Sequence, residues 1–375
     1  MKSISEILGG MQILLGLSFD LQVGFEEYLS EEQRAFLAML RVIEEHLPSI
    51  CRTVSRFGRP AYQDDPFIRA FLAKAFFREL TMDDLRKRLL SDPNLRMICG
   101  FTKVPSLPTF SRRMSLFSED SCMAQSLEAM VTDYYTGRIV GDVSRDSTAI
   151  ASREKPCNKK SEVAILNPVK YRRGRPRKDE HRPQKALPVI TQQTTMSLEE
   201  ALKTLDRRCS WGCKKNSQGN ISYWKGYKVH LDVTDAGIPI SVVVTGANVH
   251  DSQVAIPLEC MTETRVTHLY SLMDAAYDSD TIRSFIKERG RVPLIDHNKR
   301  RNDTRPPFDP ASKRRYAIRT TVERTNSHLK DWFLSSGFFV RGIKKVTFQV
   351  MCGVLCLTAL KILQYFVAPA LLKSA

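Results

Sequence analysis

Three acidic residues that lie far apart in the sequence could share one metal-dependent reaction. Asp146 and Asp274 each close a strand-like, apolar run, and Glu323 falls within a long helical pattern. Carboxylates from separate elements can hold two Mg²⁺ ions, with Mn²⁺ as a substitute, and such a pair stabilises both the attacking and the leaving oxygen of a phosphodiester transfer. A single strand-end Asp is more often a turn cap, so the prediction depends on all three acids meeting.

The helical pattern around Glu323 places further candidate residues on one face. Tyr316, Arg319 and Lys330 lie at −7, −4 and +7 from Glu323. At about 100° per residue, the four side chains form a single stripe. A carboxylate bordered by these groups suits a metal ligand flanked by contacts to DNA phosphates. An ordinary Arg–Glu pair on a solvated helix face would give the same local pattern.

The elements that would position these acids follow the order of a ribonuclease H-like fold. The apolar patterning predicts three strands, then a helix, a strand, a helix, a strand and a helix. The predicted strands are 138–146, 227–233, 238–245, 268–274 and 292–296, and the predicted helices are 251–263, 279–289 and 311–333. We therefore expect an α/β domain with a mixed five-stranded sheet flanked by helices, in which the strands that end at Asp146 and Asp274 are neighbours.

The rest of the chain divides around this domain. Residues 1–135 have an all-α pattern, and the stretch near 81–117 is similar to a helix-turn-helix, with Arg112 and Arg113 as candidate DNA contacts. A plain helical bundle with solvated arginines is the alternative. Residues 136–348 form the predicted catalytic domain, interrupted by a basic insertion at 151–220 that contains one short helix near 197–205. Residues 349–375 are expected to pack on it as an apolar helix.

The charge of the chain indicates a polyanionic partner. Lys and Arg exceed Asp and Glu by 16, and the isoelectric point is near 9.5. Double-stranded DNA is the leading partner and an anionic membrane surface is the alternative. The apolar stretch between Glu6 and Asp20 is too short to cross a bilayer, and the nine cysteines are scattered. We expect no secretory signal, no membrane span and a cytoplasmic, nucleoid-associated protein.

A run of arginines within the insertion is a second candidate DNA contact. The segment 172–178 contains an Arg-Gly-Arg-Pro sequence similar to an AT-hook, in which arginines enter a narrow minor groove. A solvated basic linker is the alternative. The candidate contacts are Arg172, Arg173, Arg175 and Arg177.

Other groups fit metal or acid–base chemistry less well. Cys209 and Cys213, with Cys157 and either His181 or His230, could be drawn as a zinc site, although the spacing is loose. His250 and Asp251 are expected to fix the turn into a helix near the acids. The alternative acids for the site are Asp142, Asp278 and Asp296.

Several motifs resemble those of bacterial insertion-sequence DDE transposases. The helix Tyr316-x2-Arg319-x3-Glu323-x6-Lys330 resembles the Tyr-Arg-Glu-Lys signature of that family. The family's two Asp motifs are similar to Asp146-Ser-Thr and Asp274-Ala-Ala-Tyr-Asp, and the sequences at 212–219, 223–230 and 246–252 also resemble it. Only 48 residues separate Asp274 from Glu323, whereas some relatives carry a large β-domain there.

The resemblance implies a function and a role for each residue. Asp146, Asp274 and Glu323 would bind the metals, Arg319 and Lys330 would hold the cut strand, and Tyr316 would contact a phosphate near the reacting end. The enzyme would cut DNA at the ends of an insertion sequence and join those ends to target DNA. Because two ends must be handled together, a homodimer on DNA is expected.

Two other functions remain open from the sequence alone. One is a ribonuclease H-like nuclease that cuts without strand transfer, and the other is a catalytically silent, transposase-derived DNA-binding protein. Glycoside hydrolysis also uses paired carboxylates, but the basic charge fits it poorly.

Overall fold

The computed structural model describes residues 27–48, 62–157, 187–215, 218–298, 307–334 and 337–367. The arginine-rich segment at 172–178 and His181 lie outside these residues.

The N-terminal part is helical wherever it is described, as the sequence predicts. Thr81 begins one helix by accepting a hydrogen bond from the backbone of Asp84, whose carboxylate binds the Thr81 backbone in return. Gly100 ends the next helix with φ of 84°, a left-handed conformation that glycine tolerates best. The helices are α1 (Glu31–Glu45), α2 (Asp65–Phe76), α3 (Met82–Ser91), α4 (Pro93–Cys99), α5 (Leu107–Ser118) and α6 (Cys122–Tyr135).

A mixed sheet flanked by helices forms the second part of the molecule. Its strands are β1 (Ile139–Ala151), β2 (Ser210–Lys215), β3 (Ile221–Thr234), β4 (Pro239–Gly246), β5 (Thr267–Met273) and β6 (Val292–Ile295). The strand order is β2-β3-β1-β5-β6, and β4 also pairs with β3. Strands β1, β5 and β6 are parallel to one another, whereas β3 is antiparallel to β1, β2 and β4. This is the ribonuclease H-like arrangement that the order of elements predicts.

Two details of the sheet differ from the sequence prediction. The sheet has six strands rather than five, because β2 comes from the stretch 151–220 that we treat as an insertion. Asp146 does not end the first strand, since β1 continues to Ala151 and Asp146 pairs with Leu231 of β3. The run Ser-Thr-Ala-Ile-Ala after Asp146 is polar at its start, which hides its strand character until β3 is present as a partner.

The helices outside the N-terminal part agree with the predicted ranges except for the first, which the sequence pattern does not predict. They are α7 (Val189–Gln193), α8 (Leu198–Lys203), α9 (Ala255–Glu263), α10 (Asp280–Glu288), α11 (Pro310–Tyr316) and α12 (Thr320–His328). A 3₁₀ turn (Ala317–Arg319) joins α11 to α12, and a π turn (Leu329–Phe333) follows α12. The predicted long helix is therefore one helical run in which the winding changes twice.

The last described helix joins the two parts of the molecule. Helix α13 (Ile343–Ile362) packs against α1, α2, α5 and α6 on one side and against β4 on the other. The stretch Ile343–Val367 is long and apolar enough to cross a membrane, but 72% of its most apolar window is buried inside the protein. Its apolar surface is thus already covered, as predicted for a buried helix.

Candidate active site

The parallel pairing of β1 and β5 brings the two predicted aspartates to the same level of the sheet. Ser144 of β1 is in register with Leu272 of β5, and Asp146 and Asp274 each lie two residues further along. Asp274 comes directly after β5 and caps a 3₁₀ turn by accepting the backbone N–H of Ala276 at 2.9 Å. Since residues in parallel register share a face, the two carboxylates lie side by side.

The electrostatics confirm that these two carboxylates are close. Burial raises the pKa of Asp146 to about 6, the backbone of Ser147 opposes this, and the negative charge of Asp274 raises it further. Burial also raises the pKa of Asp274, and the charge of Asp251 adds to that effect. Burial and like charge disfavour ionisation of both aspartates, and the nearby cations Lys214 and Arg319 offset this only in part.

The helix that carries Glu323 is attached to this edge through an amide. Asn326 Nδ2 of α12 donates a hydrogen bond to Oδ2 of Asp146 at 3.0 Å. Glu323 lies three residues before Asn326, and side chains at that spacing are neighbours on a helix surface. The Glu323 side chain is about half exposed and forms an ion pair with Arg319. Glu323 thus neighbours Asn326 on the helix surface, while its carboxylate is held by Arg319.

The carboxylates of the two aspartates fit a hard divalent cation, whereas Glu323 is bound to Arg319. Asp146 and Asp274 supply the carboxylate oxygens that Mg²⁺ prefers. The hydroxyl of Tyr277 is fully buried, is influenced by the charges of both aspartates, and has no hydrogen-bond partner in the described structure. Among the described residues, no three His, Cys, Asp or Glu side chains already form a group that could hold a metal. Glu323 would have to exchange Arg319 for the cation.

The other residues of the predicted stripe surround the same place. The guanidinium of Arg319 lies 5.7 Å from the centroid of the Tyr316 ring. Burial raises the pKa of the Tyr316 phenol to about 12, and Arg319 opposes that rise. Burial and the nearby Lys214 lower the pKa of Lys330, whereas the charge of Asp146 raises it. Arg319 opposes the raised pKa of both aspartates, and the charges of the aspartates act in turn on Tyr316 and Lys330.

Three further groups near the acids were not singled out from the sequence. Asn326 could have been found, because its +3 spacing from Glu323 gives it the same helix face. Lys214 of β2 lowers the pKa of both Asp146 and Asp274, but only the sheet pairing brings it near them. Lys228 donates to Asp251 at 2.9 Å and neutralises that carboxylate from β3.

The alternative acids are engaged elsewhere. Asp142 pairs with Arg315 at 3.1 Å, and Asp278 pairs with Arg283 at 2.9 Å. Asp296 is exposed and accepts the backbone N–H of His297. Asp251 is near the acids, and His250 caps the 3₁₀ turn Asp251–Val254, as expected for residues that fix that turn.

The cysteines that the structure describes are free thiols, and they form no zinc site with the described residues. The Cys209 thiol is buried and donates to the carbonyl oxygen of Glu154, whereas Cys213 is exposed. His230 is buried, with Nε2 in a hydrogen bond to Thr245 and a pKa that burial lowers to about 4.

The two arginines of the helix-turn-helix-like region differ in their contacts. Arg112 is exposed on α5. Arg113 forms an ion pair with Asp64 and donates to the carbonyl oxygen of Tyr62 at 2.6 Å, so its guanidinium holds the helical part together. The insertion arginines Arg172, Arg173, Arg175 and Arg177 lie outside the described residues.

Comparison with known proteins gives one family. No curated protein and no solved structure shows a significant match to the chain. The profile of the family described as "Transposase DDE domain" matches residues 168–359, just over half of the chain. The matched range includes Asp274 and Glu323 and begins after Asp146. Because that match covers just over half of the chain, the chain belongs to the family of transposases that have a DDE domain.

Proposed function

We propose that the protein cleaves DNA at the ends of an insertion sequence and transfers those ends into target DNA, with Asp146, Asp274 and Glu323 as its metal-binding acids. The observation that carries this proposal is the hydrogen bond from Asn326 to Asp146. It attaches the helix of Glu323 to the carboxylate pair on β1 and β5, although the three acids belong to three separate elements. Membership of the family supports the same reaction class.

Each residue of the proposed site would have a separate role in the reaction. Two Mg²⁺ ions, when bound, would activate the attacking oxygen and stabilise the leaving oxygen of the phosphodiester. Asp146 and Asp274 would hold them from the sheet, with the Asn326 amide fixing the orientation of Asp146. Glu323 would leave Arg319 and complete the set. The released guanidinium of Arg319 would then be available to a phosphate of the cut strand.

The remaining DNA contacts follow from position and charge. Lys330 and Tyr316 flank Arg319 and would hold the same strand near its reacting end. Exposed Arg112 on α5 is the stronger candidate in the helix-turn-helix-like region, because Arg113 is already paired. The arginines at 172–177 would add a minor-groove contact. Two DNA ends require a homodimer on DNA, working on the bacterial nucleoid in the cytoplasm.

The three acids can be tested by substitution. Asp146→Ala, Asp274→Ala and Glu323→Ala should each abolish metal-dependent cleavage of a duplex that carries the element's end, while DNA affinity measured without metal stays within about twofold. Asp296→Ala is the matched control, because it removes an exposed acid close to Tyr316 and should retain cleavage. Wild-type cleavage by any of the three variants would remove that acid from the proposed site.

A second assay separates a transposase from a nuclease. The substrate is a pre-cut duplex that ends in a 3′-hydroxyl, with supercoiled plasmid as the target. We expect covalent joining of the duplex to the plasmid, because the same site would use the hydroxyl as the attacking group. Cleavage of uncut ends without any joining would identify a nuclease. We expect inverted repeats on both sides of the coding region, and these would supply the end sequence.

A further inference from the structure

A two-stranded ribbon extends from the sheet beside the proposed active site. The pairing of β1 with β3 ends at Ala151 and Gly226, whereas β2 pairs with residues 221–226 of β3. On the edge of β3 that faces away from β1, β4 pairs with the residues from Tyr227 onward. Residues 210–215 and 221–226, called the ribbon below, therefore project beyond the end of β1. Strand β2 is the edge of the whole sheet.

One face of the ribbon looks toward the proposed site. Gly212 is opposite Trp224, and a methyl group on Gly212 would lie 2.5 Å from the Trp224 ring, so the indole lies directly across the glycine. Lys214 is on this face, two residues after Gly212, and its charge reaches Asp146 and Asp274. Trp224 and Lys330 line one cleft of about 750 Å³. The inner face thus carries a charge that acts on both aspartates and borders the same cleft as Lys330.

The outer face carries large apolar side chains in water. Antiparallel register puts Trp211 opposite Lys225, and Cys213 opposite Tyr223, on this side. Trp211 is 59% exposed, Tyr223 is 68% exposed and Ile221 is 54% exposed. Single exposed apolar residues are common on protein surfaces, but several on one face indicate an interaction surface.

The charge of the ribbon identifies the kind of partner. The sequence from Ser210 to Gly226 contains three lysines and no Asp or Glu. Its uncharged polar residues are Asn and Gln amides and Ser hydroxyls, which can bond to both phosphates and base edges. A β-ribbon of two strands has the width that the major groove of B-DNA admits. Positive charge, amides and exposed aromatics together favour a nucleic acid over a neutral or basic protein surface.

We propose that the ribbon docks in a groove of double-stranded DNA, with Trp211, Tyr223 and Lys225 as its outer contacts. The DNA concerned is the duplex that adjoins the cleaved position, because the charge of the inner face acts on both aspartates. Only the assignment of this DNA to the cleaved end rests on the proposed function. Binding of the ribbon to DNA requires neither metal nor cleavage.

The test measures affinity for a fluorescently labelled mixed-sequence duplex in the presence of EDTA. The double variant Trp211→Thr/Tyr223→Thr replaces each aromatic residue with a β-branched residue that favours strands, so the ribbon should remain folded. We expect its affinity to fall roughly 10- to 100-fold. Lys225→Gln should lower the slope of log affinity against log salt by about 1, as the loss of one phosphate contact does.

The matched control is Tyr28→Thr, which removes an aromatic side chain that is 83% exposed before α1. Its affinity should equal that of the wild type. Ribbon variants that fold, by circular dichroism, and bind within twofold of the wild type would overturn the proposal. So would a loss of affinity accompanied by dissociation of DNA-free dimers in sedimentation, because the face would then contact a second copy of the chain. If the ribbon variants bind normally while Asp146→Ala still abolishes cleavage, only the ribbon proposal fails.

Discussion

At the scale of single residues, an amide has a central part in the proposed site. Asn326 is mostly buried and donates to a carboxylate whose pKa is raised to about 6. A neutral donor lowers the cost of keeping Asp146 ionised without adding a positive charge that would repel a metal. An arginine or lysine at the same position would compete with the cation for the carboxylate. The amide therefore suits an acid that must remain both oriented and available.

Asn326→Ala should weaken metal binding without changing DNA affinity. Partners that orient a metal ligand typically contribute about 10- to 100-fold in metal affinity. Titration with Mn²⁺ in a calorimeter measures this directly, and cleavage should then require a correspondingly higher metal concentration. Asn248→Ala is the control, because that amide donates to Asp206 at 3.2 Å, away from the acids. Equal Mn²⁺ affinity in both variants would contradict the role given to Asn326.

The raised pKa of Asp146 gives a stability prediction with a definite sign. The native state binds the proton more tightly than the unfolded state, so stability attributable to this group falls as the pH rises from about 4 to about 6. In EDTA above pH 6, Asp146→Asn should therefore be more stable than the wild type, by on the order of 1–3 kcal/mol. The advantage should disappear near pH 4, where both chains are neutral at this position.

Thermal unfolding across this pH range checks the prediction. Mg²⁺ should reverse the order of the two melting temperatures, because only the wild type offers the charged oxygen. If Asp146→Asn is less stable than the wild type in EDTA at every pH, burial does not make ionisation of Asp146 costly.

The sequence predicts acids better than it predicts their partners. Asp146, Asp274 and Glu323 can be proposed from strand ends, helix spacing and family resemblance. Lys214 cannot, because its proximity to the aspartates depends on the pairing of β2 with β3, and β2 lies in a stretch with little apolar periodicity. The contact between Arg113 and Asp64 also cannot be predicted from the sequence, since the two residues are 49 positions apart in the chain.

At the scale of elements, the helical run from Pro310 to Phe333 changes its winding twice. A 3₁₀ turn advances by about 120° per residue and a π turn by less than an α-helix, so a constant 100° does not describe the whole stripe. The predicted face nevertheless keeps Tyr316, Arg319 and Glu323 together, because these residues are in contact. Lys330 lies further along, in the π turn, and its place on the same face stays a prediction.

Gly226 marks the point where β3 leaves β1 and continues into the ribbon. Its φ is 152°, and a methyl group there would lie 2.1 Å from the carbonyl oxygen of Ile150. Gly226→Ala should lower the free energy of unfolding by roughly 2–4 kcal/mol, because backbone atoms must separate to admit the side chain. Denaturant unfolding measures the change.

Gly141→Ala is the control for this prediction. Gly141 is in β1, and an added methyl group would be in ordinary contact, 3.5 Å from the Asp235 carboxylate. Its effect should be within about 1 kcal/mol. Similar losses in both variants would show that strand propensity, rather than the close approach at Gly226, sets the cost.

At the scale of the whole molecule, one hydrophobic core includes residues of the N-terminal helices, the sheet and α13. Phe71 of α2, for example, packs edge-on against Phe348 of α13 at 5.4 Å. The apolar pattern predicts that this last helix is buried. It does not predict the number of elements that meet on it, because helices from the first 135 residues reach it only through the tertiary fold.

Leu355→Ala should destabilise the helical part and the sheet together. Leu355 is fully buried in α13, and truncation of such a side chain costs about 2–5 kcal/mol. Calorimetry should show one cooperative transition at a lower temperature. Leu360→Ala, which removes a partly buried leucine of the same helix, should cost less. Two separate transitions in the variant would show that the helical part and the sheet fold independently.

The central place of α13 also has a consequence for synthesis on the ribosome. The helices before β1 emerge early but cannot cover their apolar faces until residues 343–362 have been made, more than 300 positions after α1 begins. A chain released before that point would expose those faces to chaperones and proteases instead of adopting a stable structure. Premature termination should therefore yield degraded fragments rather than a soluble partial enzyme that could nick the host chromosome.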